Sequence, residues 1–181
     1  MLKLKSKITP LLLLIILFMI GFTLKVNIQD GDREIIIPVK GASKNDWDAK
    51  SFWHYPWGKS ITHKGIDIFK PLNTPVISPT AGIIIQTGYN INGGNYIYLL
   101  GSKSRIYYFA HLNKSLVHDY SLIKKEQIIG LVGDSGNAKN APFHLHFSIF
   151  SILPVFKYYD SKAPLGWKKI FYLNPETYFL P

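Results

Sequence analysis

The chain has 181 residues and a formal net charge of +10, with 47% hydrophobic and 18% charged residues. This length fits one modest folded domain, and the low charged fraction excludes an acidic disordered protein. The absence of cysteine excludes disulfide scaffolds, iron–sulfur clusters, thiolate zinc sites, cysteine nucleophiles and a lipid on an N-terminal cysteine. Any metal site must therefore use histidine and carboxylate ligands.

The N-terminus has the pattern of an export signal. Lys3, Lys5 and Lys7 precede an uncharged apolar stretch, residues 8–24. This stretch lies at the lower length limit of a membrane-spanning helix and exceeds the usual signal-peptide core. No small-x-small cleavage site follows, which favours an uncleaved signal-anchor over a cleaved signal peptide for residues 1–25. We therefore expect one N-terminal hydrophobic helix and an exported remainder, anchored in the cytoplasmic membrane and facing the periplasm or cell wall, or secreted if the signal is cleaved.

The rest of the chain predicts an all-β domain of antiparallel strands. Short β-branched and aromatic runs alternate with Gly, Asn and Pro, without heptads, internal repeats or a long 3.6-residue period. After a linker at residues 26–34, residues 35–181 are expected to form one sandwich-like domain. The predicted strands are residues 35–39, 65–69, 76–78, 81–87, 95–100, 105–111, 128–132 and 144–150.

Turn signals order part of this sheet. The Asn-Gly-Gly sequence at residues 92–94 can adopt the positive φ values of a tight hairpin, and residues 101–104 form the next turn signal, so the strands around them predict an antiparallel meander. A short helix is expected near residues 114–118. The segment after Phe150, rich in aromatics, Pro and Lys, is expected to cover an edge of the sheet.

The first histidine segment that can carry chemistry contains His63 and Asp67. Their i,i+4 spacing suits one helix face, but Gly65 and the β-branched Ile66 and Ile68 disfavour a helix. A loop that enters a strand fits better. A bend at Gly65 then brings the imidazole and the carboxylate together.

Two further histidine segments have the period of a strand. In the His-Leu-His-Phe sequence at residues 144–147, a period of two places His144 and His146 on one face, with the intervening apolar residues towards a core. The same parity places His111 beside Tyr107 and Phe109. The lone histidines elsewhere in the chain are expected to be ordinary packed or surface residues.

These segments can supply a catalytic zinc site. Catalytic zinc usually takes three protein ligands and leaves a fourth position for water, whose pKa it lowers towards about 7 while it polarises the carbonyl under attack. The proton acceptor must be a histidine, because none of the three glutamates follows a histidine in a His-Glu-x-x-His motif. Spacing leaves open which of His144 and His146 binds metal and which, with His111, is free for proton transfer.

Together the segments resemble the lysostaphin-type (LytM-like) zinc endopeptidases, which cut peptidoglycan cross-links. The resemblance extends over about residues 38–150. It is carried by His-x-Gly-x-Asp at 63–67, Gly-Gly-Asn-Tyr at 93–96, Ala-His-Leu at 110–112, Ile-Ile-Gly-x-Val-Gly at 128–133, Ser-Gly-Asn-Ala at 135–138 and His-Leu-His-Phe at 144–147.

This resemblance implies a role for each motif residue. His63, Asp67 and His146 are implied as the ligands of one Zn²⁺ per chain. His111 and His144 are implied as the catalytic pair that orients and deprotonates the water and stabilises the oxyanion. The expected activity is hydrolysis of peptide cross-links in bacterial peptidoglycan by a zinc metalloendopeptidase. All five positions are filled, which opposes a metal-free activator of other hydrolases.

Three departures from the family pattern concern substrate positioning more than metal binding. Phe109 stands where the family often has Tyr, Pro-Phe at residues 142–143 stands where it often has Gly-Pro, and Trp-Gly-Lys-Ser at residues 57–60 replaces Phe-Gly-x-Arg. The aromatic run at residues 52–57 either lines a substrate groove or packs in a core.

Two other functions compete with this interpretation. A non-catalytic wall-binding or activator module predicts a missing ligand, whereas a related zinc protease acting on proteins has the same motif residues. Nucleic acid is not an expected partner, since a nucleic-acid binder would have to explain the export signal. The expected partners are peptidoglycan and, through the N-terminal helix, the membrane.

Overall fold

The computed structural model describes residues 10, 12–17 and 35–180. The chain divides into two compact units, residues 1–32 and residues 33–181. In the first unit, residues 10 and 12–17 are helical. Within the described part of the chain, no helix is both long enough and apolar enough to cross a membrane. The remainder of the apolar stretch at residues 8–24 and the predicted linker at residues 26–34 lie outside the described residues.

The second unit consists mainly of β-strands joined by loops and short 3₁₀ helices. The strands are β1 (Ile66–Phe69), β2 (Pro75–Ile77), β3 (Gly82–Asn90), β4 (Gly94–Gly101), β5 (Arg105–Leu112), β6 (Lys114–Ser115), β7 (Leu122–Ile123), β8 (Ile128–Leu131), β9 (His144–Ser151) and β10 (Tyr172–Leu173). The 3₁₀ helices are Lys44–Asp46, Gly58–Ser60, Ser102–Ser104, Gly136–Ala138, Phe156–Tyr158, Gly166–Phe171 and Pro175–Tyr178.

These strands form two antiparallel sheets. The larger sheet has the order β1-β9-β5-β4-β3-β7, and β10 pairs with the part of β9 that β1 leaves free. The smaller sheet has the order β2-β8-β6. Residues of both sheets, such as Phe147 of β9 and Ile129 of β8, belong to one hydrophobic core. The predicted all-β, antiparallel, sandwich-like fold is therefore confirmed.

Alternation along β5 and β9 gives the larger sheet a core face and an open face. The core-facing residues of these two strands, all fully buried, are Tyr107, Phe109, Leu145, Phe147 and Ile149. The intervening residues Ile106, Tyr108, His146, Ser148 and Phe150 line a cavity on the other side. Because side chains alternate with a period of two in a strand, the site face follows directly from the core face.

The predicted turns and the C-terminal cover are found in the structure. Asn90 of β3 pairs with Gly94 of β4, which places the hairpin turn between them, and β4 in turn pairs with β5 to complete the meander. At the C-terminal end, β10 occupies an edge position next to β9. The Ile35 N–H donates to the Tyr178 carbonyl at 3.1 Å, which ties the two ends of the unit together.

The predicted strand at residues 35–39 is wrong. Ile35 and Val39 each form an isolated bridge, and the two bridges join different parts of the chain. Pro38 lies between them and has no N–H to donate, so it interrupts a continuous ladder.

The predicted helix near residues 114–118 is also wrong. Lys114 and Ser115 form β6 and pair with Leu131 and Gly130 of β8. Five residues are too few to form a stable helix by themselves, and the neighbouring strand supplies backbone partners that the local sequence does not reveal.

Replacing Phe147 with Ala is expected to lower the free energy of unfolding by about 3 to 5 kcal/mol, because the ring is fully buried in the shared core. Urea unfolding followed by circular dichroism measures the change. The matched control is Phe156→Ala, whose ring is 74% exposed and whose loss is expected to stay below about 0.5 kcal/mol. Equal destabilisation of both variants would contradict the assigned core face.

Candidate metal centre

The three predicted ligands meet at the β1 edge of the larger sheet. Asp67 of β1 lies directly opposite His146 of β9, and His63 precedes β1, where the chain bends at Gly65. His63 Nε2 lies 3.1 Å from Asp67 Oδ1 and 3.0 Å from His146 Nδ1, and His146 Nδ1 lies 2.9 Å from Asp67 Oδ1. The group of possible metal ligands contains His146, and His144 is not a member.

This convergence depends on the missing side chain of Gly65. A Cβ at this position would collide with the main-chain oxygen of Phe147 and with Ser148 Oγ, and would touch the ring of His146. Glycine therefore permits β1 to enter the sheet closely beside β9, and the bend at this residue brings His63 onto the site face as predicted.

Hydrogen bonds on the outer side of the two imidazole rings set their tautomers. His63 Nδ1 donates to the Ser51 carbonyl at 3.0 Å, since a carbonyl oxygen can only accept. This leaves the lone pair of His63 on Nε2. Ser148 Oγ lies 2.9 Å from His146 Nε2 and can accept a hydrogen bond from the Nε2–H group, which leaves the lone pair of His146 on Nδ1. Such outer partners orient metal-ligating histidines.

The charges of the three groups suit a divalent cation. Burial raises the pKa of Asp67, but the neighbouring rings of His146 and His63 outweigh burial and hold this pKa well below its ordinary value. Burial lowers the pKa of His146, against the opposing effect of Asp67. One carboxylate and two imidazoles therefore face one point. Ligands of a tetrahedral zinc ion lie about 3.3 Å apart, close to the separations found here, so the donor set fits zinc.

His111 reaches the site by breaking the predicted strand parity. Tyr107 and Phe109 face the core, and the expectation that His111 lies beside them is wrong. Its φ of +60° turns the side chain to the open face. There its ring centroid lies 5.0 Å from that of His144 and 6.0 Å from that of His146.

Two glycine-containing loops hold His111 in this conformation. Its N–H donates to the Gly93 carbonyl at 2.7 Å, and its Nδ1 donates to the Ser135 carbonyl at 2.9 Å. Gly94 has a φ of +62° and packs so closely against Ser135 that a Cβ would collide with it. The sequence motifs around residues 93–96 and 135–138 therefore meet at His111 and position its ring.

His111 and His144 both keep the lone pair of Nε2 free for proton transfer. His144 Nδ1 donates to the Pro142 carbonyl at 2.8 Å, as His111 Nδ1 does to Ser135. Burial, reinforced by His146 and His144, lowers the pKa of His111 to about 4, against the hydrogen bond to Ser135. His111 is therefore neutral near pH 7 and can accept a proton.

The centre borders two cavities, and a third cavity lies beside these. A small cavity of about 140 Å³ is lined by His111 and His146. It shares lining residues with a cavity of about 580 Å³ on the open face of the larger sheet and with one of about 700 Å³ beside the hairpin turn. Trp57 and Ser60 line all three. These cavities together form a groove beside the centre.

The aromatic run at residues 52–57 contributes both to packing and to this groove. Trp53 is buried, and its Nε1 donates to the Pro164 carbonyl at 2.9 Å. Trp57 instead stacks on His63, with ring centroids 4.1 Å apart and planes inclined by 25°. The two interpretations of the run thus apply to different residues.

Three features of the site escaped the sequence analysis. Ser148 follows His146 by two residues on the same strand face, so the period of two contained a signal for it. Ser51 acts through its main-chain carbonyl, which no side-chain pattern reveals. The stacking of Trp57 depends on the path of a loop.

Residues 61–155 match the sequence profile of peptidase family M23. The matched range is more than half of the chain and contains His63, Asp67, His111, His144 and His146. The chain belongs to peptidase family M23.

Relatives of this M23 peptidase include proteins named as endopeptidases. It is 30% identical over 142 residues to the L-Ala–D-Glu endopeptidase of Bacillus subtilis. This alignment covers 74% of this chain and 42% of the relative. It is also 30% identical over 99 residues to the peptidoglycan DD-endopeptidase ShyC of Vibrio cholerae. This second alignment covers 55% of this chain and 23% of the relative. The chain thus spans less than half the length of either relative.

A solved structure supports the same assignment. The catalytic domain of the antimicrobial peptidase lysostaphin from Staphylococcus simulans superimposes with a TM-score of 0.53 and 31% sequence identity. The alignment covers 59% of this chain and 81% of that domain. The M23 peptidase therefore shares its fold with a peptidase domain.

Replacing Ser148 with Ala is expected to weaken divalent metal binding by about tenfold to a hundredfold, because His146 loses the outer partner that fixes its tautomer. Competition between the protein and a chromogenic chelator for Zn²⁺ measures the affinity. Ser115→Ala, in strand β6, is the matched control and is expected to bind as tightly as the unchanged protein. Unaltered affinity of Ser148→Ala would show that the hydroxyl does not orient His146.

Proposed function

We propose that this M23 peptidase is a zinc-dependent endopeptidase that hydrolyses peptide cross-links of bacterial peptidoglycan. The observation that carries the proposal is the convergence of His63, Asp67 and His146, with their ligand atoms 2.9 to 3.1 Å apart, beside the neutral ring of His111. One relative is named a peptidoglycan DD-endopeptidase and another an L-Ala–D-Glu endopeptidase, and these names support the substrate class. They are named for different bonds, so the proposal concerns the class of wall peptides rather than one linkage.

His63 Nε2, Asp67 Oδ1 and His146 Nδ1 are the atoms that would hold the zinc ion. Zinc, when bound, would supply a Lewis acid that lowers the pKa of a water molecule and polarises the scissile carbonyl. The donor set leaves room for this chemistry, because three protein ligands leave one position of a tetrahedral ion open.

The proton transfers fall to the histidine pair. His111 Nε2 accepts a proton as the water oxygen forms its bond with the carbonyl carbon. A ring that has taken up the proton becomes an N–H donor for the negative oxygen of the tetrahedral species. His144, whose ring contacts that of His111, is the second residue of this proton-transferring pair. The carbon–nitrogen bond then breaks, and the departing amine takes the proton that the pair had accepted.

The competing activator function has less support. It requires a missing ligand or catalytic histidine, whereas here all five positions are filled and His63, Asp67 and His146 converge. A zinc protease that acts on proteins would use the same centre. Casein offered alongside purified walls separates the two substrates.

The proposed place of action is outside the cytoplasm. Three N-terminal lysines followed by an apolar stretch are typical of exported proteins, and a wall substrate lies outside the membrane. The protein is proposed to be exported and held by its N-terminal segment, or released if that segment is cleaved.

Purified protein is expected to contain about one zinc ion per chain, and both His63→Ala and Asp67→Ala are expected to lose most of it, because each removes one of three ligand atoms. Elemental analysis after dialysis against metal-free buffer gives the stoichiometry. His118→Ala is the control, since this histidine is exposed and is not in the ligand group. Full zinc occupancy in both ligand variants would refute the centre.

The residues of the His-x-His pair are expected to differ in function. His146→Ala should lose both zinc and wall hydrolysis, since His146 is a proposed ligand. His144→Ala and His111→Ala should keep most of the zinc and lower turnover on purified walls by about 10² to 10⁴, the usual contribution of a general acid or base.

Zinc content, release of new amino groups from walls and circular dichroism should be measured on all three variants. His118→Ala is the control, since His118 is exposed and is not in the ligand group. An empty site in His144→Ala with zinc retained in His146→Ala would reverse the assignment. Full activity of His111→Ala would remove it from the catalytic pair.

A further inference from the structure

Lys64 stands at the wall of the groove, next to the proposed ligand His63. It lines the cavity of about 580 Å³ together with His63 and His146. Its ammonium donates to the main-chain carbonyls of Ser60 at 2.6 Å and Thr62 at 3.3 Å. An ammonium group has three protons to donate. Two are used by the loop, and the third is available to a molecule in the cavity.

The positive charge of Lys64 has no negative partner among the described residues. None of the described ion pairs includes it, and the described residues that line this cavity include no Asp or Glu. Asp67 is the nearby carboxylate of the centre, and its Oδ1 atom faces ring nitrogens of His63 and His146 at 3.1 Å and 2.9 Å rather than Lys64.

The rest of this cavity suits a peptide. Tyr98 and Tyr108 form a stacked pair in it, with ring centroids 4.6 Å apart, and Phe150 and Tyr172 lie in edge contact farther along. Aromatic surfaces with few polar groups bind the apolar parts of a ligand, while single polar groups fix its orientation. Lys64 is the cationic group among these lining residues.

We propose that Lys64 is a specificity-determining residue that binds a carboxylate of the substrate peptide in the aromatic cavity. The inference rests on the proposed function and adds a chemical requirement to it. Since Lys64 lines the same cavity as His63 and His146, the bound carboxylate belongs to the part of the substrate that occupies this cavity beside the centre. Peptides that carry an amide at this position are then poor substrates.

The test compares two forms of one probe. A cross-linked peptide is purified from wall digests, and part of it is amidated with carbodiimide and ammonia, which converts its carboxylates to carboxamides. The full-length protein is expected to show a kcat/KM about 10 to 100 times higher for the carboxylate form, the usual contribution of a charge-assisted hydrogen bond. Lys64→Met should remove this preference by slowing hydrolysis of the carboxylate form alone.

Two further variants separate charge from structure. Lys64→Arg keeps the cation and is expected to retain most of the preference. Lys114→Met removes an exposed lysine from strand β6 and should leave both rates unchanged. If Lys64→Met slows both forms by the same factor, Lys64 only supports the loop that carries His63, and the proposal is overturned. Equal rates of the unchanged protein on both forms overturn it as well.

A binding measurement distinguishes failure of this inference from failure of the proposed function. Calorimetric titration of both probe forms into full-length His111→Ala should give a dissociation constant 10 to 100 times lower for the carboxylate form. A preference in binding that disappears in the His111→Ala, Lys64→Met double variant supports Lys64 even if no wall bond is cut. Hydrolysis without preference refutes Lys64 and retains the endopeptidase. Absence of both hydrolysis and binding refutes both.

Discussion

The register in which β1 pairs with β9 determines the geometry of the site. It places Asp67 opposite His146 on the open face, while Ile66 and Ile68 of the same strand are fully buried on the core face. A shift by one residue would turn every side chain of a strand to the opposite face. The two isoleucines therefore oppose such a shift, and packing in the core fixes the distances between the proposed metal ligands.

The conformation of His111 shows how distant loops serve one ring. A left-handed φ at a non-glycine residue costs about 1 to 3 kcal/mol. The hydrogen bonds to Gly93 and Ser135 offset this cost and hold the ring over the open face. The same backbone geometry ends the regular alternation of β5, so His111 contributes to the site, while Leu112 after it is fully buried in the core. The loop contacts that hold His111 in this strained conformation are therefore the same contacts that position its ring.

The sequence predicted those parts of the site that depend on local periodicity. The period of two in β9 revealed that His144 and His146 share a face, and the bend at Gly65 revealed the approach of His63 to Asp67. The meander of β3, β4 and β5 could be predicted because its turns, near residues 92–94 and 101–104, contain residues that favour tight turns. The family resemblance added the choice of His146 as a ligand, which spacing alone left open.

The features that escaped prediction arise from contacts between distant segments. The predicted sheet face of His111 was wrong because its φ is set by loops that precede and follow it in the sequence. Lys114 and Ser115 form a strand because β8 lies beside them, and residues 35–39 lack a strand because their pairing partners diverge. The Ser51 carbonyl that sets the tautomer of His63 belongs to the backbone, which carries no residue-specific pattern.

The position of β1 also has a consequence for how separate copies of the chain meet. β1 lies at one end of the larger sheet and has four residues. A long, flat, uncharged edge strand can recruit a strand from another molecule and start aggregation. This edge is short, it contains the carboxylate of Asp67, and just beyond it Lys70 pairs with Asp46 at 2.9 Å. The charge of Asp67 therefore also disfavours pairing of this edge with a strand of another molecule. An apolar residue in its place would promote self-association.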